Sequence, residues 1–479
     1  MAIEKIAMNR GVYLNVKEIA TREGISPLFV NGLLDDADSN FKWFGDSLFS
    51  ILSCGFFNGM FYSFNLDVLI AVGDGIVYSI AANGTATDIS GGAVLDANTT
   101  VSFEEAPALL LTTDAYSPKI FMCNGGNLFY TDGVTVTKVE VANAPTDAAT
   151  VTFSDYQMIT NYGKRFIIHS EPGALIDFGT SLNIIAADSS PDDVVAVKAL
   201  NREILVFGTR SIDTFFFSSY ASTITWVKTA GALLDQGCGA KHSIQLIDNT
   251  IFWLNHRREV CKLEGRTPRV LSTSINKELQ SYTKVDDAIG HHVIYGGKNL
   301  YIITFPTQEK TFAYDYVKDY WTQLGSWDSI LGDYTRFPIT GYAWHRGNNK
   351  HLIANKTGSI YQMNQDIGTN ASCTNRFVRR TGHLSHGTLR HRKKCNRVTF
   401  LVESGAGGTP TPRFAVRYRD QNGAWSNEVY PSLGAIGEYT FLAEMFNVGI
   451  YQTRQWEIVQ TDQVPFTLVS MEEEFEVQL

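Results

Sequence analysis

The sequence predicts an all-β protein: a β-propeller of six or seven blades followed by a C-terminal β-sandwich of the jelly-roll kind. Three observations predict it. A strand–turn–strand unit recurs through the first three quarters of the chain. The turns of that unit carry Gly, Asn or Pro. After Asn375 the strand spacing changes and a run of basic residues begins.

The unit is clearest in PDDVVAVKALNREILVFGTRSIDTFFFS, Pro191 to Ser218. VVAVKAL alternates apolar with small or polar residues, Asn201-Arg202 turns the chain, and EILVFGT is almost continuously apolar. Gly208 to Ser211 then turns it into IDTFFFS. Short β-branched and aromatic runs between turn residues are antiparallel strands. One such ribbon is marginal alone in water and needs copies to pack against. The copies begin at Val68 (VLIAVGDGIVYSI), Lys119 (KIFMCNGGNLFYTD) and Arg165 (RFIIHSEPGALIDFG), then at Thr250 (TIFWLNHRREVCKLE), Asn299 (NLYIITFPTQEKTFAYD) and Lys350 (KHLIANKTGSIYQMN). With the hairpin from Glu203 they make seven, and the first and last start 282 residues apart, a mean period of 47. A period of about 40–50 residues with about four strands per repeat is that of propeller blades. Seven blades follow if every hairpin counts, six if the poorly spaced one at Arg165 is an insertion.

Residues 1–60 lack the repeat and are expected to dock or close the ring, since a terminus that completes the last blade removes an exposed edge. Residues 61–373 form the expected propeller. Within it, Thr273–Tyr282 is a helical connector and Thr322–Trp344 a long aromatic excursion. Residues 374–479 form the expected sandwich: RVTFLVESG, FAVRYRDQNGAWSNEV, EYTFLAEMFNVG, RQWEIVQT and VPFTLVSMEEEFEVQ alternate between turn signals, with a Gly/Pro loop, GAGGTPTP, after the first.

Composition excludes several classes. A net charge of −9 argues against a dedicated nucleic-acid binder. Met1 to Ala20 has no apolar core of a signal peptide, and SLFSILSCGFF is too short to span a bilayer, so a soluble chain made in a cytoplasm is expected. The six cysteines are scattered without a CxxC pair, which reads as core thiols rather than zinc ligands or disulfides. Nucleophile elbow, P-loop, HExxH and dinucleotide fingerprints are absent. His291-His292 are adjacent on a strand and so point to opposite faces, which disfavours one shared metal ion. Asp192-Asp193 and Asp286-Asp287 sit beside turns, where Asp caps backbone N–H groups more readily than it pairs for glycoside hydrolysis. RDQNGAW (Arg419–Trp425) resembles a sialidase turn only singly and off register, and its Trp425 is expected to pack on the sandwich. The reading is a non-enzyme with no catalytic, cofactor or metal site and no small-molecule substrate.

Two stretches are candidate contacts. Arg376–Arg397 holds eight Lys or Arg and no acid. Its candidate partner or DNA contacts are Arg376, Arg379, Arg380, Arg390, Arg392, Lys393 and Lys394. A partner interface, a charge-protected edge strand and DNA all remain open, although only Phe377 could stack on a base. The aromatic loop Leu324–Phe337, with Trp327 and Tyr334, is a candidate subunit contact because aromatics are enriched in interface cores.

DDVVAVKALNREILVFGTRSIDTF, GALLDQGCGAKHSIQLIDNTIFWL, RVLSTSINKELQSY and TFAYDYVKDYWTQLGS resemble, in order and spacing, the phage stabilisation (packaged-DNA stabilisation) proteins. RDQNGAWSNEVYPSLGAIGEYTFLAEMFNVG is similar to their terminal sandwich. The resemblance covers about residues 185–475. It implies a structural virion protein of a short-tailed phage (a podovirus), a tail hub or nozzle made in the host cytoplasm and assembled as a homohexamer below the portal. The implied partners are the adaptor or head-to-tail connector, tail fibre, spike or needle proteins, and double-stranded DNA passing without sequence specificity. The ring would retain packaged DNA and conduct it during ejection. The alternative is a propeller-type tail glycan hydrolase or glycan-binding protein. A conduit lined with cations would grip DNA: neutralising about six phosphates makes binding fall by about three decades between low and moderate salt. The basic run is therefore expected to meet carboxylates of a neighbour, such as Glu472-Glu473-Glu474, or solvent.

Overall fold

Turn residues at short intervals divide the chain into strands too brief to be stable singly, and the fold pairs them in sets of four. The computed structural model describes residues 2–15, 24–107, 118–179, 183–218, 225–404 and 411–478. Five short strands come first: β1 (Ala2–Lys5), β2 (Leu28–Val30), β3 (Gly32–Leu34), β4 (Asn40–Lys42) and β5 (Gly45–Ile51).

The blades follow in chain order. Blade 1 is β6–β9 (Phe57–Ser63, Val68–Gly73, Ile76–Ile80, Ala86–Asp88), and blade 2 is β10–β13 (Ser102–Ala106, Lys119–Cys123, Phe129–Thr131, Val136–Lys138). Blade 3 is β14–β17 (Val151–Ser154, Gln157–Tyr162, Phe166–His169, Ile184–Ala186), and blade 4 is β18–β21 (Val194–Leu200, Glu203–Gly208, Ile212–Ser218, Thr225–Lys228). Blade 5 is β22–β25 (Gln245–Ile247, Thr250–Leu254, Val260–Glu264, Thr267–Val270), joined through the short helix α1 (Asn276–Ser281) to blade 6. Blade 6 is β26–β29 (Ile289–Tyr295, Lys298–Phe305, Lys310–Asp315, Tyr320–Asp328), and β30 (Asp333–Arg336) folds back on the end of β29. Blade 7 has only β31–β33 (Gly341–His345, Lys350–Ala354, Ser359–Asn364) in sequence; its fourth strand is β5.

Among the described residues there are seven blades, and the repeated hairpins are the middle two strands of six of them. The exception is the one read at Arg165. In blade 3 the equivalent hairpin is Gln157–His169, and Glu171–Gly179 forms turns rather than a strand. Its poor spacing comes from this shift of one strand.

β5 pairs antiparallel with β33 from Ile51↔Ser359 to Gly45↔Asn364. Asp46 fixes it: its buried carboxylate accepts the N–H groups of Ala371 and Ser372, each at 2.8 Å. Leu52 then enters the apolar core between blades 7 and 1 with Phe57, Leu69, Leu352 and Ile360.

The C-terminal strands are β34 (Phe377–Arg380), β35 (Arg392–Glu403), β36 (Ala415–Asp420), β37 (Thr440–Tyr451), β38 (Arg454–Gln460) and β39 (Thr467–Gln478). Residues 405–410 of the Gly/Pro loop lie outside the described residues. One sheet runs β37-β35-β39, with β1 and then β4-β3 beyond β39. The other runs β36-β38-β34-β2, and β2 also pairs in parallel with β29 of blade 6. Blade 6 and the sandwich thus share one nine-stranded sheet. The N-terminal segment is the splice between them.

The splice is tightly fitted. Asn31 follows β2 with φ 52°, a left-handed conformation that Asn tolerates. Its side chain donates to Gly325 O at 2.7 Å and accepts from Gly325 N at 2.8 Å. A Cβ on Gly11 would lie 2.2 Å from Trp321 O, so only glycine lets the chain pass there. One apolar cluster runs without a break from Phe252, Tyr301 and Phe312 of blades 5 and 6 to Phe29, Phe377, Phe400, Trp456 and Ile458 of the sandwich. All six cysteines are free thiols. Among the described residues no helix is long and apolar enough to cross a membrane.

Candidate functional site

The first strand of every blade lines the axial cavity, which holds about 350 Å³. Lys198 and Glu104 pair across its wall at 2.8 Å. Lys241, His242, His291 and His292 also line it. Burial, reinforced by Lys241, pushes His242 down to about 3, and burial pushes His291 down to about 4. Both imidazoles are therefore neutral near pH 7. His292 bonds Asn299 at 2.6 Å. Among the described residues no group of three or more His, Cys, Asp or Glu could hold a metal ion.

One aspartate of each pair caps a turn, and its neighbour pairs with a lysine, Asp193 with Lys164 and Asp286 with Lys284. Asp192 accepts the N–H groups of Arg210 (2.8 Å) and Ser211 (3.0 Å), and Asp287 accepts that of Thr307 (2.9 Å). Neither is aimed into the axial cavity, whose lining includes neither.

The basic run is distributed by strand alternation rather than gathered. On β34, Phe377 and Arg379 share the inner face while Val378 and Arg380 share the outer. Arg379 is 1 % exposed: its Nη2 donates to Arg10 O at 2.7 Å, and its guanidinium lies 4.4 Å from the Phe29 ring centre. Burial pushes it down to about 9. Lys393 is likewise buried, donating to the carbonyls of Thr388 and Gln452. Burial lowers its pKa, partly offset by the Glu473 carboxylate.

On the outer face, buried Glu457 holds two arginines. Arg380 Nε donates to its Oε2 at 2.8 Å and Arg417 Nε to its Oε1 at 2.6 Å. Trp425 covers the guanidinium groups of Arg380, Arg417 and Arg419 at 5.1, 4.9 and 4.7 Å, so its ring does pack on the sandwich.

Arg376 lies 3.8 Å over the Trp327 ring, and its carbonyl accepts the Tyr334 hydroxyl at 3.2 Å. Trp327 and Tyr334 face each other across the β29–β30 hairpin with ring centres 5.0 Å apart. They pack on Val30, Val378 and Val459, so the aromatics form the hairpin's foot. Its tip carries Ile330 and Leu331, 94 % and 70 % exposed.

Arg390, Arg392 and Lys394 are exposed. Arg397 pairs with Glu474 of its own chain at 2.9 Å and with Glu444 at 3.3 Å. The structure therefore separates the seven candidates into two buried cations, two arginines stacked on tryptophans, and three exposed cations beside β35.

Sequence reading named the loop Leu324–Phe337 for its aromatics rather than its exposed Ile330-Leu331 tip, and missed an exposed apolar row on β37, Leu442, Phe446 and Ile450. The tip's signal is an Ile-Leu pair between two aspartates, where turn residues normally stand. The β37 signal is masked by irregularity at Asn447 (φ 54°) and Gly449 (φ 89°), which shifts the alternation midway.

A family profile described as bacteriophage P22 Gp10, beta-propeller, matches residues 107–368, more than half the chain. The chain belongs to the phage stabilisation family. The match to that family spans most of blades 2–7 and ends before the basic run. No curated protein matches the chain. Among solved structures it is similar to the WD40 propeller domain of Doa1, at 10 % identity and TM-score 0.43, covering 69 % of this chain and 100 % of that one. It is also similar to BamB from Moraxella catarrhalis, at 12 % identity and TM-score 0.37, covering 66 % and 99 %. As a member of the phage stabilisation family the chain is a propeller of a phage structural kind.

Proposed function

We propose that this protein is a non-catalytic hub or nozzle of a short-tailed phage virion. Several copies form a ring below the portal and adaptor, retain the packaged genome and conduct it at ejection. Membership of the phage stabilisation family carries this reading. In this reading the conduit is enclosed between copies rather than running through the axial cavity of one propeller. Six copies is the number that the resemblance implies.

The test is a phage lacking this protein, with purified protein added back. Expected are heads that package and then release DNA into a nuclease-sensitive form, restored by addition, and a native mass of six chains in the presence of the adaptor. Particles that keep and eject their DNA normally without the protein would refute the reading. So would steady depolymerisation of host polysaccharide by the purified chain, which would favour the glycan hydrolase alternative.

A further inference from the structure

Among the exposed apolar side chains, two groups lie on opposite sides of the sandwich. The outer surface of the β36-β38-β34-β2 sheet carries the β29–β30 hairpin, anchored by Trp327 and Tyr334 on Val30, Val378 and Val459. Its tip, Ile330-Leu331, projects from that anchor into solvent. Asp328 holds the tip in shape, its Oδ1 accepting the N–H groups of Ile330 at 2.8 Å and Leu331 at 3.1 Å. Asp333 is exposed beside it.

The outer surface of the other sheet carries the second feature. Cross-strand register places Leu442 beside Leu401, Phe446 beside Arg397 and Ile450 beside Lys394, all facing away from the core. Leu442, Phe446 and Ile450 are 59 %, 61 % and 50 % exposed. Among the described residues no strand pairs with the free edge of β37. The Ile450 end is flanked by exposed Arg392 and Lys394, with Arg390 just before them. A long edge strand that exposes three large apolar side chains is a docking surface or a hazard, even where a glutamate and an irregularity interrupt it.

The charges match at one end. The tip is apolar between two aspartates; the Ile450 end of the β37 row lies beside exposed Arg392 and Lys394, while Glu444, between Leu442 and Phe446, is held by Arg397, and Glu476 lies beside Lys394. Because the sandwich interior separates the two features, they face away from each other and cannot meet within one chain. A two-fold dimer needs one self-complementary patch, whereas two different patches facing apart make a head-to-tail contact that can close a ring.

We infer that the Ile330-Leu331 tip of one copy docks on the Leu442–Phe446–Ile450 row of the next, with Asp328 and Asp333 meeting Arg392 and Lys394. The occupant of the β37 surface is a second copy of this chain, and the exposed part of the basic run is the rim of that contact. This rests on the ring reading above and specifies its surfaces.

The test is cysteine trapping with full-length Leu331→Cys, Phe446→Cys and the double variant, under mild oxidation and with the adaptor present. Expected is a ladder of cross-linked species in the double variant, one cross-link in a mixture of the two single variants, and none in either single variant alone. Asp333→Lys should reduce ring yield at least tenfold, and Lys394→Asp in the same chain should restore it. Cross-linking of Phe446→Cys with itself would mean a two-fold edge contact and overturns the inference. Intact rings without a cross-link in the double variant also overturn it while leaving the ring reading standing. A wild-type chain that stays monomeric with the adaptor refutes the ring reading and this contact with it.

Discussion

Replacing Arg379 with Met should leave stability almost unchanged, although a buried arginine is usually costly to disturb. Burial pushes its pKa down to about 9, so keeping the charge at neutral pH carries a penalty. The bonds of its Nη2 to Arg10 O and Gly24 O, at 2.7 and 3.3 Å, and the Phe29 ring 4.4 Å away return part of that cost. The part not returned is regained when the charge is removed. Against it stands the orphaned Arg10 carbonyl, worth about 1 kcal/mol; Gly24 O keeps the Arg10 N–H at 3.1 Å. Met retains the length that fills the site, so Arg379→Met should lie within about 1 kcal/mol of wild type in urea unfolding followed by tryptophan fluorescence. Arg379→Ala, which opens a cavity, should lose about 2–3 kcal/mol. A loss of 3 kcal/mol or more in the Met variant would refute the reasoning and show the guanidinium to be a net source of stability. Ring assembly and duplex binding should be unaffected by Met, since the group reaches neither surface.

Glu457→Gln should destabilise by about 2 kcal/mol, because Arg380 and Arg417 lose the buried charge between them; an unchanged urea midpoint would show that Trp425 alone suffices. Asp46→Ala should cost about 2 kcal/mol by leaving the Ser372 N–H unpaired and the Ala371 N–H with only the residue 46 carbonyl at 3.3 Å, again read from the urea midpoint, and an equal stability would show β5 to be held by its ladder alone. His386 contacts Glu4 at 2.6 Å and Glu473 at 3.4 Å. Burial lowers its pKa, but the two carboxylates outweigh that and raise it above 6.5. The Tyr451 hydroxyl, Lys393, Cys395 and Arg454 also surround Glu473. A raised histidine contributes fully below its unfolded pKa and loses that contribution as pH rises through the folded one. The stability gap between wild type and His386→Gln should therefore be larger at pH 5.5 than at pH 9, and a gap independent of pH would exclude a protonated His386.

The propeller was legible because its turns are chemically marked: Asp74-Gly75 and Asn201-Arg202 take the positive φ that tight turns require, so the hairpins stand out at their period. The splice was not. LFV at Leu28–Val30 is three residues long, and its partners, Gln323 and Val378, lie some 300 residues away. Nothing local distinguishes it from a loop. The fate of the basic run was partly legible. Alternation alone places Arg379 with Phe377 and Lys393 with Cys395, on a face that must be apolar, whereas the run of eight cations suggested a single patch. The two exposed apolar features were hidden for different reasons: the tip is too short to register as a hydrophobic run, and the β37 row loses its alternation at Asn447 and Gly449.

That the ring is closed by its own beginning sets a timetable for synthesis. Ile51 pairs with Ser359, 308 residues later. At translation rates of about 5–20 residues per second, β5 waits roughly 15–60 s for its partner. Through that interval β5 has no sheet to join, and the nascent blades stand as an open arc. A chain terminated before Ser359 never acquires the latch, and its Gly45–Ile51 segment stays available to chaperones and proteases. Closure of the propeller thus waits for the last blade, which keeps chains truncated before it out of any assembly that selects closed rings.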